Sequence, residues 1–335
     1  MRLGDDDVIS NVTGNDSKQA VRAAPVMWIR GLSVTTLVAT FGLIALGSAV
    51  RVTNSGMGCK GWPLCSGKVG PISKFHPLME QSHRYLASLV TILIIALAIA
   101  VLRAGAALRH ARGPALASVG VIVVQIVLGA VTVLTNNAPV TVALHLLVAT
   151  LFLGVVTVTA VATFIVPDWS WSLRRGPGRL GWITVGALYV VVVSGSVVVN
   201  AGAQAACPSW PVCFSSHAAL GLVVVQSAHR SVVLIGSVLV VIFLVGLVRA
   251  EGTARTVRTF SFAGLALLSA QIVVGALSAL DSSHTELADL HLVFASSLWS
   301  LVVAVFALTA RRRPPPSLND DQRSNKVADA ESATA

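Results

Sequence analysis

The stretch MEQSHRYLASLVTILIIALAIAVLR, residues 79–103, places Glu80 and His83 at the start of a continuous apolar run. A run of about 20 apolar residues is long enough to cross the ~30 Å hydrocarbon core of a bilayer as a helix. Titratable side chains are costly at that depth, so Glu80 and His83 need a partner, a ligand or a reaction. The stretch therefore predicts a membrane helix with a functional site near its first turns.

The composition of the whole chain agrees with a membrane protein. Hydrophobic residues make up 55% of the 335 positions, charged residues make up 11%, and the mean hydropathy is +0.80, which excludes an ordinary soluble domain. We expect an all-α integral membrane protein with eight transmembrane helices. The apolar runs fall at about 31–50, 79–102, 115–135, 139–166, 181–200, 217–248, 260–280 and 286–310.

The net charge of +10 follows a pattern that is typical of membrane topology. Lys and Arg concentrate in the two terminal segments and around 103–112, 174–179 and 249–258, whereas the loops after the third, fifth and seventh runs carry none. By the positive-inside rule, both termini face the cytoplasm of a plasma-membrane protein. A nucleic-acid partner is not needed to explain the charge; the lipid bilayer is the expected surrounding.

The chain contains a long internal repeat. CKGWPLC at 59–65 and CPSWPVC at 207–213 share the pattern C-x-x-W-P-x-C with an offset of 148 residues. At an offset of 146, QSHR overlays SAHR at 227–230, QIVLGA overlays QIVVGA, and LHLLVA overlays LHLVFA. Because each half has an even number of spans, the repeat is parallel and predicts two pseudo-symmetric four-helix bundles.

The repeat also divides the chain into segments. We expect disordered cytoplasmic tails at both ends, because these segments are polar and charged and the second is rich in proline. Between the bundles lies a basic cytoplasmic linker with Gly and Pro. The predicted boundaries are 1–30 for the first tail, 31–166 for the N-terminal bundle, 167–180 for the linker, 181–310 for the C-terminal bundle and 311–335 for the second tail.

Four of the eight histidines have counterparts under the shift of 146 residues: His83 with His229, and His145 with His291. In each half the two histidines lie near the outer ends of the second and fourth helices. Two imidazoles on facing helices of a bundle can bind a haem iron from both sides. The alternative is a pair of histidines bonded to hydroxyl or backbone groups. Zinc is disfavoured, because no thiolate or carboxylate cluster accompanies the histidines in both halves.

Other polar residues repeat beside these histidines. Arg84 and Arg230 each follow a paired histidine and either bind haem propionates or extend to water at the interface. Gln125 and Gln271 also repeat, each with a glycine one turn later. We interpret the glycines, Gly129 and Gly275, as sites of close helix packing, with contact to a haem edge as the alternative.

Glu80 breaks the repeat, because the related position holds Gln226, which cannot ionise. Glu80 and His83 lie at i and i+3 on one helix face. We therefore expect Glu80 to lie over the macrocycle, where it can accept protons or stabilise developing positive charge. The alternative is an acidic residue that interacts favourably with the helix dipole.

The four cysteines lie in the first and third outer loops, on the oxidising side of the membrane. One bridge within each C-x-x-W-P-x-C segment would clamp the loop over a pocket, but four cysteines allow three connectivities, and a redox role is the alternative. The cysteines are Cys59 and Cys65, and Cys207 and Cys213.

These motifs resemble the haem A synthase family, and the resemblance covers residues 31–310. It rests on EQSHR, on the second HR pair, on the histidines of LHLLVA and LHLVFA, and on the two cysteine pairs. The family reaction converts the C8 methyl of haem O to a formyl group by successive hydroxylations, with water as oxygen source and electrons leaving the site. The resemblance implies haem A for cytochrome oxidase as the product.

The resemblance also implies residue roles and partners. The permanent haem b would be bound by His229, His291 and Arg230, and the substrate haem O by His83, His145 and Arg84. Glu80 would be the catalytic carboxylate. Haem O synthase (protohaem farnesyltransferase) and a quinone or other electron acceptor are the implied partners, and a homo-oligomer is left open.

Two other functions compete with this interpretation. A di-haem b-type electron carrier linked to quinol would use the same four histidines, but it gives no reason for an acid in only one half. A solute transporter with parallel repeats is disfavoured by the paired histidines and by helices that Gly or Pro does not break at mid-membrane.

Overall fold

The structure is a computed structural model, and it describes residues 6–65, 67, 72–165, 177–213, 218–281 and 284–309. The helices are α1 Asp6–Val52, α2 Phe75–Arg103, a short 3-10 helix Gly105–Ala111, α3 Arg112–Leu134, α4 Pro139–Phe164, α5 Pro177–Asn200, α6 Leu220–Arg249, α7 Arg255–Leu280 and α8 Thr285–Thr309. Most of the predicted linker and the whole second tail lie outside the described residues.

Eight helices in the described part of the chain have the length and composition of a membrane span. The prediction of an all-α, eight-helix integral membrane protein is therefore confirmed. Helix α1 begins earlier than the boundary expected after residue 30, at Asp6, although its apolar span begins at Val26. The reason is that the Ala, Lys, Gln and Arg residues before Val26 favour a helix, but they do not belong to an apolar run. A boundary based on apolar runs therefore excludes them.

The turn between α3 and α4 brings Gly129 of α3 close to His145 of α4. Asn136 and Asn137 adopt positive φ angles of 52° and 57°, which asparagine tolerates better than most residues. Pro139 then starts α4 at a position where its missing N–H leaves no intrahelical bond unmade. Because the turn is short, the end of α3 with Gly129 lies beside the start of α4 with His145.

The helices pack in the same neighbour order in both halves. In the first half α1 and α3 each contact α2 and α4, and in the second half α5 and α7 each contact α6 and α8. The halves meet through α1 and α4 on one side and α5 and α8 on the other. This order is the one expected of a four-helix bundle. The symmetry between the halves stays an interpretation of the sequence repeat.

Polar contacts hold the two halves together inside the membrane. The Trp299 Nε1–H of α8 donates to the Thr150 carbonyl of α4 at 2.9 Å, and the Tyr189 hydroxyl of α5 donates to the Leu147 carbonyl at 3.1 Å. A methyl group at Gly154 would lie 2.9 Å from the Trp299 ring. A small residue and interhelical hydrogen bonds are the usual means of helix association in lipid.

Candidate functional site

Each of the four repeated histidines packs against a glycine of a neighbouring helix. The pairs are Gly47 with His83, Gly129 with His145, Gly195 with His229, and Gly275 with His291. A methyl group added to the glycine would lie between 2.7 Å (Gly275) and 3.3 Å (Gly129) from the imidazole Cε1. The glycines therefore let the odd-numbered helix approach the ring closely enough to fix its position.

The histidines form two facing pairs. His83 lies close enough to His145 for electrostatic interaction, and His229 lies equally within range of His291. The two helices of a pair are not neighbours in the bundle, so the rings face each other across its interior. Among the described residues, no group of three or more His, Cys, Asp or Glu converges as a metal site. Two opposed imidazoles in a bundle core are the ligand set of a six-coordinate haem.

Glutamines contact one histidine of each pair. The amide nitrogen of Gln125 lies 3.1 Å from His145 Nε2, and that of Gln271 lies 3.3 Å from His291 Nε2. The matching geometry means that the helix pairs α3–α4 and α7–α8 present their histidines in the same way.

Several ring nitrogens in these pairs have no hydrogen-bond partner. Within the described residues, the Nδ1 atoms of His83, His145 and His291 are buried without a well-aligned hydrogen bond, although the Leu43 carbonyl interacts with the His83 ring. His229 Nδ1, in contrast, lies 2.8 Å from the Ser194 hydroxyl. Buried polar atoms are usually satisfied, so unpartnered ones in a facing pair call for a ligand or another explanation. Imidazoles that pack against glycine and face a common interior fit a haem better than a structural hydrogen-bond role.

Glu80 is 4% exposed, and both of its carboxylate oxygens have partners. Oε1 pairs with Arg84 Nη2 at 2.6 Å, and Oε2 accepts the Cys59 backbone N–H at 2.8 Å. The carboxylate therefore joins α2 to the first outer loop one turn before His83. In the second half the related Gln226 is 7% exposed, and its amide oxygen has no partner among the described residues.

The repeated arginines anchor the two outer loops. Arg84 Nη1 donates to the Gly61 and Pro63 carbonyls, both at 3.0 Å. Arg230 Nη1 donates to the related carbonyls of Ser209 at 2.6 Å and Pro211 at 3.2 Å. A guanidinium suits this task because its planar fork can donate several hydrogen bonds at once. The proposed contact of these arginines with propionates stays a prediction.

Each outer loop also carries its own disulfide. The bonds join Cys59 to Cys65 and Cys207 to Cys213, so the expectation of one bridge within each loop is confirmed. Arg230 Nη2 donates to the Cys207 carbonyl at 3.0 Å, at the place where Arg84 Nη2 meets Glu80. The same arginine contacts and a disulfide thus hold both loops, except that in the first loop the Glu80 carboxylate takes the place of a backbone carbonyl.

The structure brings together residues that the sequence analysis did not single out. Gly47, Gly195 and Ser194 contact the paired histidines, and a comparison of α1 with α5 at the offset of 148 would have matched the two glycines. Arg51 of α1 interacts electrostatically with Asp289 of α8, across the boundary between the halves. These charged residues are half-buried, and neither has a charged counterpart in the repeat.

Sequence comparisons agree with this site. The family profile described as cytochrome oxidase assembly protein (COX15-CtaA) matches residues 30–76 and 72–303. The heme A synthase of Geobacillus thermodenitrificans is 30% identical over 298 residues, covering 84% of this chain and 92% of that protein. That of Geobacillus kaustophilus is 29% identical over 313 residues, covering 89% and 96%. That of Staphylococcus haemolyticus is 28% identical over 295 residues, covering 84% and 95%.

These relatives lend no support to a di-haem electron carrier. The chain belongs to the cytochrome oxidase assembly protein family that includes the heme A synthases.

Proposed function

We propose that this protein oxidises the C8 methyl group of haem O to a formyl group and so produces haem A for cytochrome oxidase. The observation that carries the proposal is the presence of two facing histidine pairs of which only one has a buried carboxylate beside it. Membership of a family that includes heme A synthases supports the same activity. The enzyme class is an oxidoreductase acting on a CH3 group.

The two halves take different roles in this proposal. His83 and His145 hold the substrate haem O, and His229 and His291 hold a permanent haem b. A bound haem b supplies a one-electron redox centre beside the substrate site. The assignment is supported by the position of Glu80, one turn from His83 and absent from the second half.

The overall reaction defines what the protein must handle. Each hydroxylation of the methyl carbon takes an oxygen atom from water and releases two electrons and two protons; loss of water after the second leaves the formyl group. The electrons pass to a quinone or another acceptor. Glu80 accepts protons at a carboxylate oxygen, and its negative charge stabilises positive charge that develops at the reacting carbon.

Arg84 and the disulfide loop hold the carboxylate in position for that role. With one oxygen on the guanidinium and the other on the Cys59 N–H, Glu80 cannot rotate away from the pocket without breaking a charge-assisted hydrogen bond. The disulfide loop covers this end of α2 and excludes water from the carboxylate. Glu80 is thereby held at a fixed, buried position by two hydrogen bonds.

The setting of the site follows from the charge pattern. We place the protein in the plasma membrane with both termini in the cytoplasm and both histidine pairs near the outer face. Haem O synthase is the expected source of the substrate, and self-association of the chain is compatible with the proposal.

The test is to replace Glu80 by Gln, the residue present in the related position. Protein purified from cells that make haem O should keep its stable haem but contain no haem A or hydroxylated haem O on chromatography and mass analysis. Glu286→Gln changes an exposed acid at the start of α8 and serves as the control, with full conversion expected. Haem A production by Glu80→Gln at the level of this control would refute the role of the carboxylate.

A further inference from the structure

The two histidine pairs differ in one hydrogen bond. His229 Nδ1 lies 2.8 Å from Ser194 Oγ, and the Ser194 hydroxyl lies 2.8 Å from the Val191 carbonyl one turn earlier in α5. The single hydroxyl proton is donated to that carbonyl, so the serine oxygen accepts a hydrogen bond from the imidazole Nδ1–H. The protonated Nδ1 leaves the Nε2 lone pair of His229 free to bind a metal.

The first half lacks this hydrogen bond. Gly47 and Gly195 occupy matching positions against the rings of His83 and His229, and the residue before the glycine is Leu46 in the first half but Ser194 in the second. A leucine side chain cannot accept a hydrogen bond. Within the described residues, His83 Nδ1 is buried without a well-aligned hydrogen bond, and the acceptor that interacts with the His83 ring is the Leu43 backbone carbonyl of α1 rather than a hydroxyl group.

A nearby serine does not replace the missing hydroxyl acceptor. Ser48 follows Gly47, is 3% exposed, and its hydroxyl oxygen has no partner among the described residues. Its hydroxyl therefore makes no hydrogen bond to the His83 ring. The difference is confined to this histidine of each pair, because the other two have the same glutamine contact in both halves.

Hydrogen bonds of this kind control how tightly a histidine holds a metal. A second-shell acceptor fixes the tautomer and the orientation of the ring and raises the basicity of the ligating nitrogen. Loss of such a partner typically lowers metal affinity about 10- to 100-fold. Haem iron follows the same rule through its axial histidines.

We propose that Ser194 makes the His229–His291 pair the site that retains its haem, and that Leu46 leaves the His83–His145 pair able to release its haem. The inference rests on the proposed function, in which one haem is permanent and the other must leave as product. Ser194 is a positioning residue, since it acts through His229 rather than on the haem itself.

The test compares haem release from Ser194→Ala with release from the wild type. The purified protein with its stable haem is mixed with excess apomyoglobin, and transfer is followed by the Soret absorbance. We expect release to accelerate about 10- to 100-fold and the midpoint potential of the stable haem to rise, because a less basic imidazole stabilises ferric iron less. Ser194→Thr keeps the hydroxyl and should restore both values.

Two further variants complete the test. Ser297→Ala removes a hydroxyl that bonds the Val293 carbonyl of α8, away from the rings, and should leave release unchanged. Leu46→Ser should slow the release of a second haem added to the first-half pocket. Release from Ser194→Ala at the rate of Ser297→Ala, with an unchanged potential, would overturn the inference. A wild-type protein that retains no haem at all would instead overturn the proposed function.

Discussion

Replacing the glycines beside the histidines tests the geometry of both pockets. An ordinary contact of a side-chain Cβ begins at 3.4 Å, whereas a methyl group at Gly275 would lie 2.7 Å from the histidine ring and one at Gly47 would lie 2.9 Å from it. The ring must therefore retreat by about 0.7 Å and 0.5 Å, respectively. At Gly195 and Gly129 the shortfall is only about 0.2 Å and 0.1 Å.

The size of the effect follows from the cost of overpacking. Inserting a methyl group into a packed interior without room costs about 1–3 kcal/mol. If that cost falls on the ring position needed for iron ligation, haem affinity drops about 5- to 150-fold, since 1.4 kcal/mol is a factor of ten. We therefore expect Gly275→Ala to weaken binding in the second half more than Gly195→Ala, and Gly47→Ala to weaken binding in the first half more than Gly129→Ala.

The assay is a haem titration of each purified variant, followed by the Soret absorbance. The controls are Gly42→Ala in α1 and Gly186→Ala in α5, where an added methyl meets nothing within 4 Å. Both controls should bind haem like the wild type. Equal affinities for Gly275→Ala and Gly186→Ala would show that the position of the His291 ring beside Gly275 does not determine haem binding. The proposal that the glycine contacts fix the histidine rings would then be refuted.

Three further changes test the outer loops and the boundary between the halves. Arg84→Lys removes the planar fork that holds two loop carbonyls, so proteinase K should cleave the first outer loop faster than in the wild type. Cys59→Ser should lower stability by about 2 kcal/mol by opening a short loop, and a reductant should destabilise the wild type more than this variant, which keeps only the Cys207–Cys213 bridge. Trp299→Phe removes a buried hydrogen bond between the halves, worth about 0.5–1.5 kcal/mol, so its apparent Tm should fall, whereas that of Trp28→Phe, at an exposed position, should not.

The sequence was sufficient for the spans and for the four histidines. Hydrophobic length alone determines whether a segment can cross a bilayer, so the eight helices could be recognised without tertiary information. The histidines could be found because the repeat keeps them at a fixed offset. The within-loop disulfides were one of three connectivities, and only the folded loops decided between them.

The contacts of Arg84 and Arg230 could not be predicted in this way. A cation near the outer end of a helix has several potential acceptors, including propionates, water and backbone carbonyls, and the sequence does not rank them. The carbonyls of residues in a tight loop become available only when the loop folds back over the helix. The Ser194 hydrogen bond could not be predicted for a related reason: Ser194 lies in α5 and His229 in α6, and the sequence does not show which residues of two helices are in contact.

The offsets of the repeat explain how an asymmetric site arises on a repeated scaffold. The offset is 148 residues through α1 and the first disulfide but 146 from α2 onward, so the segment between Cys65 and α2 is two residues longer than its counterpart. Arg84 and Arg230 nevertheless hold related carbonyls in both loops. The same arginine contacts are therefore made in both loops although the connecting segments differ in length. Because Nη1 alone holds the loop carbonyls in both halves, the partner of Nη2 can differ: it is the Glu80 carboxylate in the first half and the Cys207 carbonyl in the second. A carboxylate enters one pocket without disturbing the scaffold that both pockets share.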